Sequence, residues 1–236
     1  MASLYRTFNL EKMTQLLNQG ANPNALNNCK YTALHFVLYV YNSNTNKDLV
    51  LDAIRLLMKY HAEIDILNRK GESPLYLALR TVPANKQKLE IIHELLKLGA
   101  NPNSKKISNG ITLLHLAAKN LNIEIMRKLL ENGAEPNALD KIKNSPLHCV
   151  FLAKDEKYIV EAIKELVTHG ANINAQNKKG KTPLHRATKL DNYSVTKVLL
   201  KLGSNPNIKD ENGNTALEMA LVDGNKMNFV KSLFLS

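Results

Sequence analysis

Tryptophan is absent from this chain, aromatic residues make up only 6% of it, and cysteine occurs twice, as Cys29 and Cys149. Each shortage excludes something. Two distant cysteines without a CxxC pair rule out a disulfide framework and a thiol-based zinc site, and they fit a reducing compartment. No window approaches the ~18 consecutive apolar residues that a spanning helix needs. The stretch from Met1 to Gly20 is broken by polar residues every few positions, so neither a membrane segment nor a secretory leader is expected. The sequon Asn192-Tyr193-Ser194 therefore has no compartment in which to act. Phosphate-loop, dinucleotide and nucleophile-elbow patterns are missing as well. His93-Glu94 opens a metalloprotease-like pattern, but Lys97 stands where its second histidine belongs. Carboxylates occur only as scattered helix-surface charges, so no enzyme, no cofactor and no metal centre is expected.

What is plentiful is Leu, Ile, Lys and Asn, a balance that suits short helices joined by polar turns. Lys and Arg number 32 against 21 Asp and Glu, a formal net charge of +11. That surplus points to an acidic partner, to a nucleic acid or simply to solubility.

Aligned against itself, the chain shows one tetrapeptide six times, beginning at Thr32, Ser73, Thr112, Ser145, Thr182 and Thr215 and typified by Thr182-Pro183-Leu184-His185. The starts lie 41, 39, 33, 37 and 33 residues apart. A second motif recurs in phase, as in Gly133-Ala134-Glu135-Pro136-Asn137 and Gly170-Ala171-Asn172-Ile173-Asn174, with equivalents at Gly20, His61, Gly99 and Gly203. Thr or Ser caps a helix, and Pro in the next position has a suitable φ and no amide to leave orphaned. Each tetrapeptide is therefore expected to open a helix. The Gly after a run such as Met126 to Asn132 stands where a left-handed residue closes one. Between Gly and tetrapeptide lie turn residues, for example Lys209 to Asn214, with the Asn-Gly content of a tight hairpin. The unit reads helix, helix, finger. Apolar positions such as Ile163, Leu166 and Val167 make one face that a lone helix pair cannot bury, so stacking of neighbours is required.

Thr-Pro-Leu-His and Gly-Ala-x-x-x-Asn in phase at a basic period of 33 residues resemble the ankyrin repeat, over essentially the whole chain. The resemblance implies an all-α solenoid of helix-turn-helix units with β-hairpin fingers, about five full repeats plus partial caps. The expected layout is a single domain over 1–236 with an N-cap at 1–27 and repeats at 28–65, 66–103, 104–137, 138–174 and 175–207. A C-terminal repeat or cap then occupies 208–236. First helices and fingers would line a concave surface, second helices the convex back, and the implied activity is protein binding. The unequal repeats and the abundance of Asn, Lys and Ile also resemble ankyrin proteins of poxviruses and of obligate intracellular bacteria of rickettsial type. That likeness implies a cytoplasmic setting, host cytoplasm or nucleus, and a role in host signalling or protein turnover.

The finger length is nearly constant, whereas residues are inserted between the helices at Tyr41 to Lys47, Val82 to Lys86 and Lys154 to Tyr158. These are either tolerated loop growth or a second contact edge. The chain ends in an apolar stretch, Met227 to Ser236, in which Leu233, Phe234 and Leu235 suggest a cap that curls back or a missing continuation.

His35, His115, His148 and His185 recur once per repeat, which spreads them along a stack, and the family resemblance implies a structural hydrogen-bonding role. By the same resemblance Phe36, Tyr39, Leu77, Arg80, Leu116, Lys119, Cys149, Leu152, Arg186 and Lys189 face the concave side, although Phe36 and Leu116 would serve equally as packing residues. Aromatics and Arg are favoured at binding hot spots, which singles out Phe36, Tyr39, Arg80 and Arg186. Finger cations Arg69, Lys70, Lys105, Lys106, Lys141, Lys143, Lys178 and Lys179 are either a docking stripe for an acidic protein segment or ordinary solvating residues. Nucleic acid is the weaker reading, because only Tyr31 offers a stacking ring in the fingers. Asn137 and Asn174 resemble residues that asparaginyl hydroxylases modify in ankyrin repeats. Three partners follow in order: a protein of acidic character, ubiquitin-ligase components recruited through an absent C-terminal F-box-like segment, and a nucleic acid or other acidic surface; no membrane is expected.

Overall fold

The computed structural model describes residues 9–40, 47–81, 86–152, 155–189 and 193–222. All three inter-helix insertions fall wholly or partly outside them, as do the apolar end at Leu233 to Leu235 and the side chain of Lys189. The chain divides into two compact units, Met1–Ser108 and Asn109–Ser236.

The first unit contains α1 (Leu10–Asn18), α2 (Ala33–Val40), α3 (Lys47–Lys59), α4 (Pro74–Thr81) and α5 (Lys86–Lys97). Here α2 packs on α4, and α1 and α5 pack on either side of α3. The second contains α6 (Leu113–Lys119), α7 (Ile123–Glu131), α8 (Pro146–Cys149), α9 (Glu156–Thr168), α10 (Pro183–Lys189), α11 (Tyr193–Lys201) and α12 (Ala216–Val222). Its first helices stack as α6, α8, α10, α12 and its second helices as α7, α9, α11. A 3-10 turn, Val150–Leu152, continues α8.

First helices begin where the tetrapeptide dictates. Thr112 accepts from the His115 amide, and the His115 side chain accepts from the Thr112 amide, a reciprocal cap; the His148 side chain likewise accepts from the Ser145 amide. In the last repeat Glu218 replaces the histidine: its carboxylate accepts from the Thr215 amide at 2.7 Å, and the bond to Thr215 holds its pKa below the usual range. Second helices close where Gly stands. Gly133, at φ 85°, lets its own amide reach Leu130 and that of Ala134 reach Leu129. The apolar faces meet in the interior, where Leu34, Leu38, Ile54 and Leu57 of the first unit and Leu114, Ile125, Leu129 and Leu166 of the second are at most 1% exposed. Full burial of such a side chain contributes about 1.5–3 kcal/mol, so neighbour stacking rather than helix propensity stabilises these short helices.

Among the described residues there is no strand, only isolated bridge positions, as in the antiparallel bridge between Lys209 and Thr215. Five of the fingers are tight turns organised by one Asn or Asp side chain. The Asp140 Oδ1 accepts from the amides of Ile142 and Asn144, at 2.9 and 2.8 Å. Asn27, Asn68, Asn177 and Asp210 do the same for the residues two and four positions on. A carbonyl of one finger then receives an amide of the next, as in Arg69 to Cys29, Lys178 to Ile142 and Glu211 to Lys179. These side-chain acceptors add to a backbone bond that closes the same turn, as from the Asn68 amide to the Glu72 carbonyl and from the Asp140 amide to the Asn144 carbonyl, each at 3.0 Å.

Candidate interaction surface

The tetrapeptide histidines are buried and hydrogen-bonded in both units. Nδ1 of His35, His115, His148 and His185 faces the hydroxyl and amide of the preceding Thr or Ser at 2.7–3.3 Å. Nε2 lies 2.9–3.1 Å from the carbonyl of Glu72, Asn144, Lys181 and Asn214 in turn. A carbonyl only accepts, so Nε2 carries the proton and Nδ1 accepts, which is the neutral ring. Burial lowers the pKa of all four, that of His148 to about 4. Among the described residues no group of three or more His, Cys, Asp or Glu side chains is placed to hold a metal ion. No helix among them is long and apolar enough to cross a membrane.

The last Asn of the second motif is a clasp between repeats. Asn137 donates to the Gly170 carbonyl at 2.9 Å and accepts from the Asn172 amide at 2.7 Å. Asn174 repeats this with Gly203 and Asn205, at 3.4 and 2.8 Å. Both residues considered for hydroxylation are thus engaged through their amide groups.

In the first unit Tyr31 stacks on His35, with centroids 5.4 Å apart, and meets the ring of Tyr39 edge-on at 5.8 Å. Tyr39 is 51% exposed, Phe36 is partly buried, and Leu77 lies wholly in the core, where it packs and offers a partner no surface. Arg80 is exposed, but its guanidinium pairs with the buried carboxylate of Glu72 through Nε to Oε1 at 3.1 Å and Nη2 to Oε2 at 3.2 Å. Glu72 also takes a bond from Asn68, so Arg80 neutralises a buried charge inside the finger. Arg69, Lys70 and Lys105 reach solvent and Lys106 is partly buried.

In the second unit Leu116 and Arg186 are partly buried, and Leu152 is 55% exposed. Cys149 is buried instead, and burial pushes its thiol up to about 12. Lys119, Lys141, Lys143, Lys178 and Lys179 are exposed. Among the described residues none of these five, nor Arg186, stands in an ion pair. Ile142 and Met219 border the same surface. Sequence reasoning passed over both, although Ile142, an aliphatic residue at a finger tip where other repeats carry Cys29, Lys70, Asn109, Lys179 and Asn212, was a visible signal.

The model for ankyrin repeats in three copies matches residues 1–106, 82–159 and 150–236. A stretch of 100 residues, 42% of the chain, is 29% identical to an ankyrin repeat protein of fowlpox virus (strain NVSL). The match takes up 16% of the viral protein, so the chain spans well under two thirds of that relative's length. With a family model matched from residue 1 to residue 236, and with recurring caps and closing turns in phase with it, the chain belongs to the ankyrin-repeat family.

Proposed function

We propose that this chain is a non-enzymatic binding module that grips a protein partner of acidic character through the concave-side residues of its first helices and its fingers. The family supports protein binding in general, and the observation that carries the finer reading is a division of labour among polar side chains. Among the buried ones, His115, His148 and His185 are engaged with neighbouring backbone, and the Asn144 side chain with those of Asp140 and Asn177. Lys178, Lys179 and Arg186 border a recess without a carboxylate paired to them among the described residues. Cations left unpaired at a concave surface steer and orient an acidic partner. The likeness to a fowlpox protein supports a setting in which that partner belongs to a host cell.

The test is affinity capture from host-cell lysate with the wild-type chain beside a Tyr39→Ala, Arg186→Ala variant that keeps its helical circular dichroism. Arg80 is left intact because its removal would strand the Glu72 carboxylate. Loss of the same captured proteins from the variant is the expected outcome; identical captures would refute the concave-side reading.

A further inference from the structure

Two consecutive fingers and the first helices α10 and α12 enclose a notch of about 300 Å³ in the second unit. Ile142, 54% exposed, and Met219 give it apolar surface. Lys178, Lys179, Lys181 and Arg186 give it positive charge, and no carboxylate lines it. The Lys181 ammonium is ion-paired with the buried Asp210 Oδ2 at 3.9 Å, so the cations left for a ligand are Lys178, Lys179 and Arg186. His185, also in the lining, already bonds to Thr182 and Asn214 and is held neutral by burial, so it neither adds charge nor competes for the ligand. The notch is held in shape by the backbone bonds from Lys178 to Ile142 and from Glu211 to Lys179, at 2.9 and 3.0 Å.

We infer that this notch is a docking site for a short protein segment carrying one aliphatic side chain flanked by carboxylates. The inference rests on the concave-side binding reading and names the chemistry of its partner. Its size lies at the small end of ligand sites, enough for one or two side chains rather than a helix. An aliphatic side chain removes Ile142 and Met219 from water, the flanking carboxylates meet Lys178 and Lys179 on one side and Arg186 on the other, and the planar guanidinium suits a two-point bond. A nucleic acid fits less well. Its phosphates would satisfy the cations but leave the apolar surface wet, and the lining offers no aromatic ring on which a base could stack.

The test is an NMR titration of the full chain, reading the methyl signals of Ile142 and Met219. The probe is the peptide Ser-Asp-Leu-Glu-Ser, with Ser-Asn-Leu-Gln-Ser, Ser-Asp-Ser-Glu-Ser and inorganic phosphate as comparisons. The expected result is a saturable shift of both methyls by the first peptide, with at least tenfold weaker binding of the amide and serine peptides. At least tenfold weaker binding is also expected for an Arg186→Gln, Lys179→Gln variant, both positions being at the surface. Equal binding of the amide peptide, equal shifts with phosphate alone, or no saturable shift would overturn the inference. If the peptide fails while the Tyr39→Ala, Arg186→Ala chain still loses its captured proteins, the concave-side reading stands and the notch chemistry falls. If the peptide binds as expected while captures are unchanged, the notch stands and the wider reading falls.

Discussion

A histidine in the Thr-x-x-His frame sits between a hydroxyl that must donate into it and a carbonyl that must accept from it, and that arrangement fixes its protonation. Protonating Nδ1 would turn an acceptor into a donor facing the Thr182 amide, and the ring would carry charge in a site that burial makes hostile to it. The folded-state pKa values are therefore lowered from the unfolded value of about 6.5. Below that value the unfolded chain binds protons that the folded chain refuses, so stability falls as pH drops from about 6.5 towards the folded value near 4 for His148. His148 alone amounts to a loss on the order of 3 kcal/mol by the bottom of that window. Urea-unfolding midpoints measured from about pH 6.5 to about pH 5, above the range where most carboxylates protonate, are expected to fall steadily. A midpoint that stays level would contradict the neutral-ring network. The reading of these residues as structural was open to the sequence because the bond is local: Thr and His are three positions apart wherever the helix forms. The Arg80 to Glu72 pair was hidden for the opposite reason, since eight residues and a change from finger to helix separate the two.

At the scale of the element, backbone conformation in the turns repeats from unit to unit even where the residue changes. The helix-closing position is Gly in five repeats and His61 in the sixth, held at φ 61°. A left-handed conformation costs a residue with a Cβ about 1–2 kcal/mol that Gly does not incur, though Gly also gains unfolded-state freedom. His61→Gly is expected to raise stability by up to about 1 kcal/mol in equilibrium unfolding, and a lowered midpoint would count against this account of the closing turn. Gly180 shows the reverse situation. It sits at φ 67°, and a Cβ there would come within 2.8 Å of the Glu211 amide and 2.9 Å of the Asp210 carbonyl carbon in the adjacent finger. Gly180→Ala is expected to destabilise by about 1–3 kcal/mol in the same measurement. The helices and their ends were legible because caps, closers and apolar spacing are written in short stretches of chain. The side-chain caps inside the fingers were illegible, because Asn-Gly content announces a tight turn without saying that Asp140 and its counterparts accept from the amides that follow. The notch was illegible for a stronger reason: Ile142, Lys179 and Met219 come from three successive repeats and meet only after stacking.

For the molecule as a whole, a net charge of +11 means that any polyanion is attracted at low ionic strength, whether or not it is a partner. Two kinds of binding then differ in how they respond to salt. Attraction of a nucleic acid to surface lysines rests on counterion release, and a protein making several phosphate contacts loses about a thousandfold or more in affinity between ~50 and ~200 mM salt. A protein segment held partly by apolar contact with Ile142 and Met219 keeps the part of its affinity that salt does not screen. A single-stranded oligonucleotide is therefore expected to bind this chain at low salt, to be lost by physiological ionic strength, and to be indifferent to Tyr31→Ala, because Tyr31 is stacked on His35 rather than presented to a base. Fluorescence anisotropy over a salt series decides the matter. Retained affinity at physiological salt together with a loss on Tyr31→Ala would mean that a base stacks there, and the nucleic-acid reading would displace the protein-binding one. Collapse with salt and no effect of Tyr31→Ala assigns the charge to steering, and favours the proposed protein partner over a nucleic acid.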